Sequence, residues 1–395
     1  MCSKDSEKKL KICHVITRMI VGGAQENTLY SVIGHLRHGH EAVLLTGPSP
    51  GREGKLLAHV DSSGVETVEL PSLVRRLDPV NDLKAYFALK RFFRERRFDV
   101  VHTHCSKAGI LGRLAARAAG VPVVVHTVHG QAFHPYEKPW KNALYKFAER
   151  LAARRSDRIF AVAQAMIDQC VEAGIAPRDR YRVVYSGMDT ALFAGAKPEP
   201  ALRDTLGIPP EARVIVTVAR LFQQKGYEYV IPAAAKVIAE FPDTHLLIVG
   251  DGPMREQLDA EIAALGLTGH FHFAGLVAPD QVHRYLALAD LLWHLSLHEG
   301  LPRSVVQALA TGIPAIGFRL DGTPEVVIDG ETGYCAAPES VEEVADATRR
   351  LWLDPDGARK MGENGRKLVL EKFRWETMVD ILEREYRELL EHVSR

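Results

Sequence analysis

Glu299 and Gln307 stand eight positions apart in HEGLPRSVVQALATG (298–312). Gly300, Leu301 and Pro302 form a turn between the acid and a helical pattern that contains Ser304 and Val305. The first-turn amides of a helix lack intrahelical partners, and the helix dipole favours negative charge beside them. An acid just outside such a helix suits sugar hydroxyls, and an amide two turns in suits a second diol. The plain alternative is an acid that caps the helix and a solvated amide.

A cationic counterpart lies in VARLFQQKGYEYVI (218–231), where Arg220 and Lys225 precede Gly226 and another helical pattern. An arginine forks two oxygens and a lysine supplies a point charge, so the pair suits a diphosphate. Spacing alone fits a pair of solvated surface cations slightly better. LIVGDGPMREQL (247–258) and FHFAGLV (271–277) repeat the strand-to-glycine turn at Gly250 and before Leu276 and Val277. In the first half, RMIVGGAQENTL (18–29) places Gly22 and Gly23 before a helix, where backbone can approach an anion or simply turn tightly. VVVHTVHGQAF (123–133) sets His129 at the end of an apolar strand before Gly130. HTHCSKAG (102–109) aligns His102 and His104 on one face of another strand. No G-x-G-x-x-G, Walker or H-E-x-x-H pattern occurs, and no serine–histidine–acid triad assembles.

These residues must be carried by strand-terminal loops. Short β-branched runs alternate with longer amphipathic segments, the pattern of parallel sheets covered by helices. The first-half strands are expected over 11–17, 41–47, 98–104, 122–130, 157–163 and 181–187. Those of the second half are expected over 213–220, 245–252, 270–275, 291–296 and 313–318. The stretch 193–213 holds four prolines and reads as a linker. Residues from Trp375 onward read as an amphipathic helix. In open α/β sheets ligands bind beyond the carboxyl ends of the strands, which is where these loops fall.

A chain of 395 residues with 46% hydrophobic and 25% charged residues suits a two-domain globular enzyme. No apolar run approaches the roughly 18–20 residues that span a bilayer, and MCSKDSEKKLK lacks the apolar stretch of a signal peptide. Five scattered cysteines (Cys2, Cys13, Cys105, Cys170, Cys335) suit reduced thiols in the cytoplasm. The net charge is zero, but residues 1–197 hold 30 Lys+Arg against 19 Asp+Glu and the remainder holds 20 against 31. A basic half suits an anionic lipid surface, an acidic acceptor or nucleic acid, or it is uneven composition alone.

In this order and spacing the motifs resemble the retaining glycosyltransferases of family 4, the glycosyl transferases of group 1. The motifs are Gly22-Gly23, TVHG ending at Gly130, SGMD (186–189) with Phe193, AR…KG at Arg220 and Lys225, GDGP (250–253), HEGLPRSVVQALATGIPAI (298–316) and GTPEVVIDGETGY (322–334). The resemblance implies a GT-B fold: two Rossmann-like, doubly wound α/β domains facing across a cleft. The expected division is an acceptor domain over 1–195, a nucleotide-sugar donor domain over 196–372, and a helix over 373–395 returning to the first domain. It further implies a hexose moved from a nucleoside-diphosphate sugar to a hydroxyl acceptor, in cell-surface polysaccharide, glycolipid or related glycan synthesis. No cofactor and no metal are expected.

By resemblance, Arg220 and Lys225 bind the diphosphate with the amides around Ser304 and Val305. Glu299, Gly300 and Leu301 meet the hexose, and Gln307 meets the ribose. Leu276 and Val277 border the base, Gly250 lines the donor loop, Gly22 and Gly23 close over the phosphates, and His129 lies near the reacting sugar. The catalytic set is thus His129, Arg220, Lys225 and Glu299. The family usually carries a glutamate at position 307; the amide here keeps the hydrogen bonds without charge assistance.

The basic, aromatic stretches KAYFALKRFFRERRFD (84–99) and YEKPWKNALYKFAERLAARR (136–155) are expected to rest on an anionic membrane, on the cytoplasmic side, beside a lipid-linked acceptor. The alternative is aromatic faces in the core and cations in water. No nucleic-acid motif supports that partner. A nucleotide-sugar epimerase of the same fold and a non-catalytic nucleotide-sugar binding protein remain the rival functions.

Overall fold

The computed structural model describes residues 8–49, 56–58, 60, 62–134 and 137–394. Cys2, the rest of the first seven residues, and Tyr136 lie outside them. The chain divides into two compact units, Met1–Met188 with Trp375–Arg395, and Asp189–Arg374.

The first unit carries the strands β1 (Lys11–Ile16), β2 (Glu41–Thr46), β3 (Glu66–Glu69), β4 (Val100–His104), β5 (Val123–Val128), β6 (Arg158–Ala161) and β7 (Tyr181–Val183). All pair in parallel in the order β3-β2-β1-β4-β5-β6-β7. Its first five helices are α1 (Gly23–Arg37), α2 (Pro79–Arg96), α3 (Ser106–Ala119), α4 (Pro139–Ala153) and α5 (Gln164–Glu172). The central strands are apolar on both faces because helices cover both. Cys13, Val15, Val101 and Val124 pack toward α2 and α3. Carboxylates fix the strand starts: Asp99 accepts from Lys11 N at 2.8 Å and Asp157 from Val124 N at 2.7 Å.

The second unit carries β8 (Arg213–Val218), β9 (Thr244–Val249), β10 (Phe271–Gly275), β11 (Leu291–His294), β12 (Ala315–Phe318) and β13 (Gly333–Ala336). They are parallel in the order β10-β9-β8-β11-β12-β13. Its helices are α6 (Thr190–Ala194), α7 (Pro200–Thr205), α8 (Tyr227–Glu240), α9 (Arg255–Ala264), α10 (Val282–Leu286), α11 (Arg303–Thr311), α12 (Val341–Leu353) and α13 (Pro355–Lys372).

The last helix, α14 (Trp375–Ser394), belongs to the first unit. Its stripe Trp375, Met378, Val379, Leu382, Tyr386 and Leu389 packs with Ile12, Val100, Val123 and Phe160. Gly34 in α1 admits it: a Cβ there would lie 2.4 Å from Val379.

Three features differ from the sequence reading. The edge strands β3 and β13 went unseen, because ETVE is polar and half-exposed and GYCA opens on a glycine. The proline-rich stretch 193–213 is built into the second unit rather than spanning open solvent. It contains α7, and Glu199 takes both prongs of Arg284 at 2.7 and 2.6 Å. The units meet at Met188/Asp189, ahead of that stretch, because α6 packs against α11 and α13. Among the described residues Cys13, Cys105, Cys170 and Cys335 are free thiols.

Candidate functional site

Parallel pairing puts the carboxyl ends of β8 to β12 along one edge of the second sheet, and the motif loops leave from that edge. Arg220 is exposed, two residues past β8. The chain then makes a tight turn in which Gln224 (φ 69°) and Gly226 (φ 79°) are left-handed. The Gln224 carbonyl accepts from Leu297 N at 2.9 Å and from Ser296 Oγ at 3.1 Å, which ties the turn to the loop after β11. A Cβ on Gly226 would stand 1.9 Å from the Leu295 carbonyl oxygen, so the close approach requires glycine. Lys225 is thereby delivered to Glu299, with Nζ 2.5 Å from Oε1.

Glu299 is fixed through its backbone. Its N–H donates to Asp321 Oδ2 at 2.7 Å, and Gly322 N donates to the Gly300 carbonyl at 3.1 Å. Asp321 itself is left-handed at φ 49°. Leu301 is buried and anchors the turn into α11. The N-cap is Pro302, which has no polar side chain, so Glu299 does not cap this helix. Val305 N donates to the Pro302 carbonyl at 3.1 Å, as Val306 N does at 3.3 Å. The expectation of an unpaired Val305 amide is therefore corrected. Ser304 keeps the first-turn N–H without a backbone acceptor among the described residues. Gln307 lies half-buried one turn further along α11.

His294, at the end of β11, is 6% exposed and lies beneath this cluster. Its Nδ1 is 3.2 Å from Ser304 Oγ and its Nε2 is 4.0 Å from Glu299 Oε1. Burial pulls its pKa down to about 4, the Glu299 carboxylate opposes this, and Lys225 adds to it. Burial works against the Glu299 charge, yet Lys225 and His294 together hold that carboxyl below its usual range.

The neighbouring loops close in from β9 and β10. Gly250 sits at φ 146°, where a Cβ would meet the Ala219 carbonyl oxygen at 2.0 Å, and its N–H donates to Gly275 O at 2.9 Å. Leu276 beyond it is 69% exposed, and Val277 is half-buried. One edge of the second unit thus presents Arg220, Lys225, Glu299 and the start of α11.

In the first unit, Gly22 caps and Gly23 begins α1. His129 leaves the end of β5 and meets a row of buried imidazoles. Its Nε2 is 2.9 Å from His104 Nδ1, His104 Nε2 is 3.0 Å from His14 Nδ1, and His14 Nε2 is 3.3 Å from His35 Nδ1. Burial holds His14 at a pKa of about 3 and lowers His35 and His104 strongly. His102 and His104 stack at 4.2 Å between centroids, on the shared face read from the sequence. Ligand atoms of His14, His102 and His104 lie within 4.8 Å of one another. Their ring nitrogens are all engaged by other side chains, Tyr386 and Thr127 holding His102.

The sequence reading missed His294, Asp321, and the His14 and His35 imidazoles that extend the row behind His129 and His104. Asp321 stands directly before the quoted GTPE motif. Alternation along β11 was the available signal for His294, which Leu292 and Trp293 masked as core strand.

Comparison with known proteins matches residues 198–368 to the family described as glycosyl transferases group 1, and residues 22–187 to the glycosyl transferase 4-like domain. The chain is 29% identical over 381 residues to the UDP-Gal:alpha-D-GlcNAc-diphosphoundecaprenol alpha-1,3-galactosyltransferase of Escherichia coli, covering 95% of this chain and 96% of that one. It is 30% identical over 286 residues to the 2-deoxystreptamine glucosyltransferase of Streptomyces kanamyceticus, covering 70% and 73%. Among solved structures, Anabaena Alr3699/HepE in complex with UDP superposes with a TM-score of 0.79 at 24% identity, over 96% of this chain and 100% of that one.

Proposed function

The chain belongs to the glycosyl transferases of group 1, with the GT-B fold and a nucleotide-sugar donor, and we propose that it is a retaining, metal-independent hexosyltransferase whose acceptor is a lipid-linked glycan. The observation that carries the reading is the cluster of Lys225, Glu299 and the start of α11, with Arg220 on the same sheet edge.

Breaking a glycosyl–phosphate bond builds oxocarbenium character on the sugar and negative charge on the leaving diphosphate. Arg220, Lys225, the Ser304 amide and the α11 dipole are aimed at that charge. They stabilise the transition state more than the ground state. Fixed cations supply the electrophilic assistance that a divalent metal gives elsewhere. Glu299 takes hydroxyls of the transferred hexose, with the Gly300–Leu301 backbone beside it. Gln307 takes the ribose, and Gly250, Leu276 and Val277 border the nucleotide. As the family resemblance implies, the acceptor attacks on the face the diphosphate leaves, and the leaving phosphate takes its proton.

The lipid-linked acceptor is supported by α4. Trp140, Leu144, Phe147 and Leu151 recur at helical spacing, and all four are exposed, Trp140 at 62% and Phe147 at 65%. Lys138, Arg154 and Arg155 flank them, also exposed. An apolar stripe edged by cations suits the surface of an anionic bilayer on its cytoplasmic side. In the stretch 84–99 the expectation is only half met: Phe93 and Phe98 are core, while Phe87 is exposed, with Val80 and Leu83 exposed beside it in α2. No helix of the described residues is long and apolar enough to cross a membrane. The relative of Escherichia coli acts on a diphosphoundecaprenol-linked sugar, which agrees with this choice of acceptor.

The test is transfer from an α-linked nucleoside-diphosphate hexose, with the product anomer read by proton NMR and a parallel reaction in excess EDTA. An α product at undiminished rate in EDTA is expected. A β product or loss of turnover in EDTA overturns the corresponding part. Co-sedimentation with anionic but not neutral vesicles tests the surface; equal binding to both removes the electrostatic argument.

A further inference from the structure

We infer that His294 is a positioning residue that takes over Glu299 when a diphosphate claims Lys225. The inference rests on the reading that this cluster receives a nucleoside diphosphate. Lys225 is paired to Glu299 at 2.5 Å, so the cation meant for the phosphates is held by the carboxylate meant for the sugar. A diphosphate brings more charge than one carboxylate and draws the ammonium toward itself. Glu299, half-buried, then loses its cation and keeps only the Ser296 hydroxyl, and a buried carboxylate so poorly compensated is costly.

His294 is built to meet that loss. Its Nε2 is buried and has no hydrogen-bond partner among the described residues, an arrangement that calls for an explanation. It lies 4.0 Å from Glu299 Oε1, about one ångström beyond hydrogen-bond reach. A carboxylate at that distance favours the tautomer with the proton on Nε2. The Ser304 hydroxyl, 3.2 Å from Nδ1, then donates to the ring's lone pair. A small shift of Glu299 away from Lys225 completes an Nε2–H···Oε1 bond. The same ring holds Ser304, whose N–H belongs to the anion-facing turn of α11. Departure of Lys225 and arrival of the phosphate are thus joined through one side chain.

The test is calorimetric titration of UDP, GDP, ADP and TDP into wild-type protein, His294→Leu, Glu299→Gln and the double variant. For the nucleotide that binds, His294→Leu is expected to weaken binding roughly ten- to a hundredfold, the worth of a hydrogen bond to a charged group. In the Glu299→Gln background the same change costs less than about threefold, because a neutral amide needs no replacement partner. His294→Gln, which keeps an N–H, recovers part of the loss. Nitrogen-15 NMR of the histidines should show Nε2–H at His294 with a shift on nucleotide binding. Equal losses in both backgrounds, or no loss, overturn the inference while leaving the functional reading intact. Failure of every nucleotide to bind the wild-type protein overturns both.

Discussion

Replacing Gly226 by alanine should displace Lys225 without touching any group that meets substrate. Two costs can be worked from the structure. The left-handed backbone (φ 79°) costs an L residue about 1–2 kcal/mol. The added Cβ would sit 1.9 Å from the Leu295 carbonyl oxygen, a backbone atom that cannot turn away. The turn must move by more than an ångström, and overpacking of this kind costs about 1–3 kcal/mol. The movement also strains the bonds that Gln224 O accepts from Leu297 N and Ser296 Oγ. The sum is about 3 kcal/mol. For a unit of this size that lowers its melting temperature by roughly 6–12 °C. Gly207 supplies the control: it is also left-handed at φ 69°, but a Cβ there meets nothing within 4 Å. Gly207→Ala should cost only the backbone term, roughly 2–8 °C. Calorimetric melting gives both shifts, and nucleoside-diphosphate titration at a temperature where both variants are folded gives the functional effect. Gly226→Ala should lose at least about tenfold in affinity and Gly207→Ala none. Equal affinities in the two variants would refute the claim that the glycine holds Lys225 in place.

Lys225→Met should reduce donor affinity more than tenfold and, by removing the cation that opposes burial, raise the pKa of Glu299 above its present depressed value, readable by carbon-13 NMR. Gln307→Glu should lower the donor KM with little change in kcat; an unchanged or raised KM contradicts the ribose assignment. Glu383, which ties α14 to His38 and His40 of the first unit, has its pKa lowered from 4.5 to about 2: burial opposes the shift, and His38, Arg387 and His40 outweigh it. A depressed carboxyl stabilises fully above its unfolded value and loses that contribution as pH falls through the folded one. Glu383→Gln should therefore cost on the order of 3 kcal/mol near neutrality, with the difference from wild type shrinking below pH 4.5 and gone near pH 2 in acid-unfolding curves.

The core strands were legible because parallel sheets bury both faces, so KICHVI and RVIVTV read as near-continuous apolar, β-branched runs. The edge strands β3 and β13 were not, since ETVE and GYCA lack that signature. Lys225, Glu299 and Ser304 could be singled out because each stands next to a glycine or a helix start that limits where it can point, and Arg220 because it follows a strand end. Their supports were not. The Asp321 contact to Glu299 N spans twenty-two positions, and the row from His129 to His35 joins the ends of β5 and β4, the interior of β1 and α1. Such contacts depend on strand order, which no local spacing records. Val305 shows the reverse error: a general rule about first-turn amides yielded to the Pro302 carbonyl three residues back.

The most direct test of the central claim is a thermal-shift comparison of wild-type protein and Lys225→Met across UDP-, GDP-, ADP- and TDP-sugars. Ligand binding raises apparent stability by an amount set by the ratio of ligand concentration to Kd. At least one sugar nucleotide should raise the melting temperature of the wild-type protein, and the shift should largely disappear in Lys225→Met. No shift with any donor, or a shift that survives the loss of Lys225, would contradict the account.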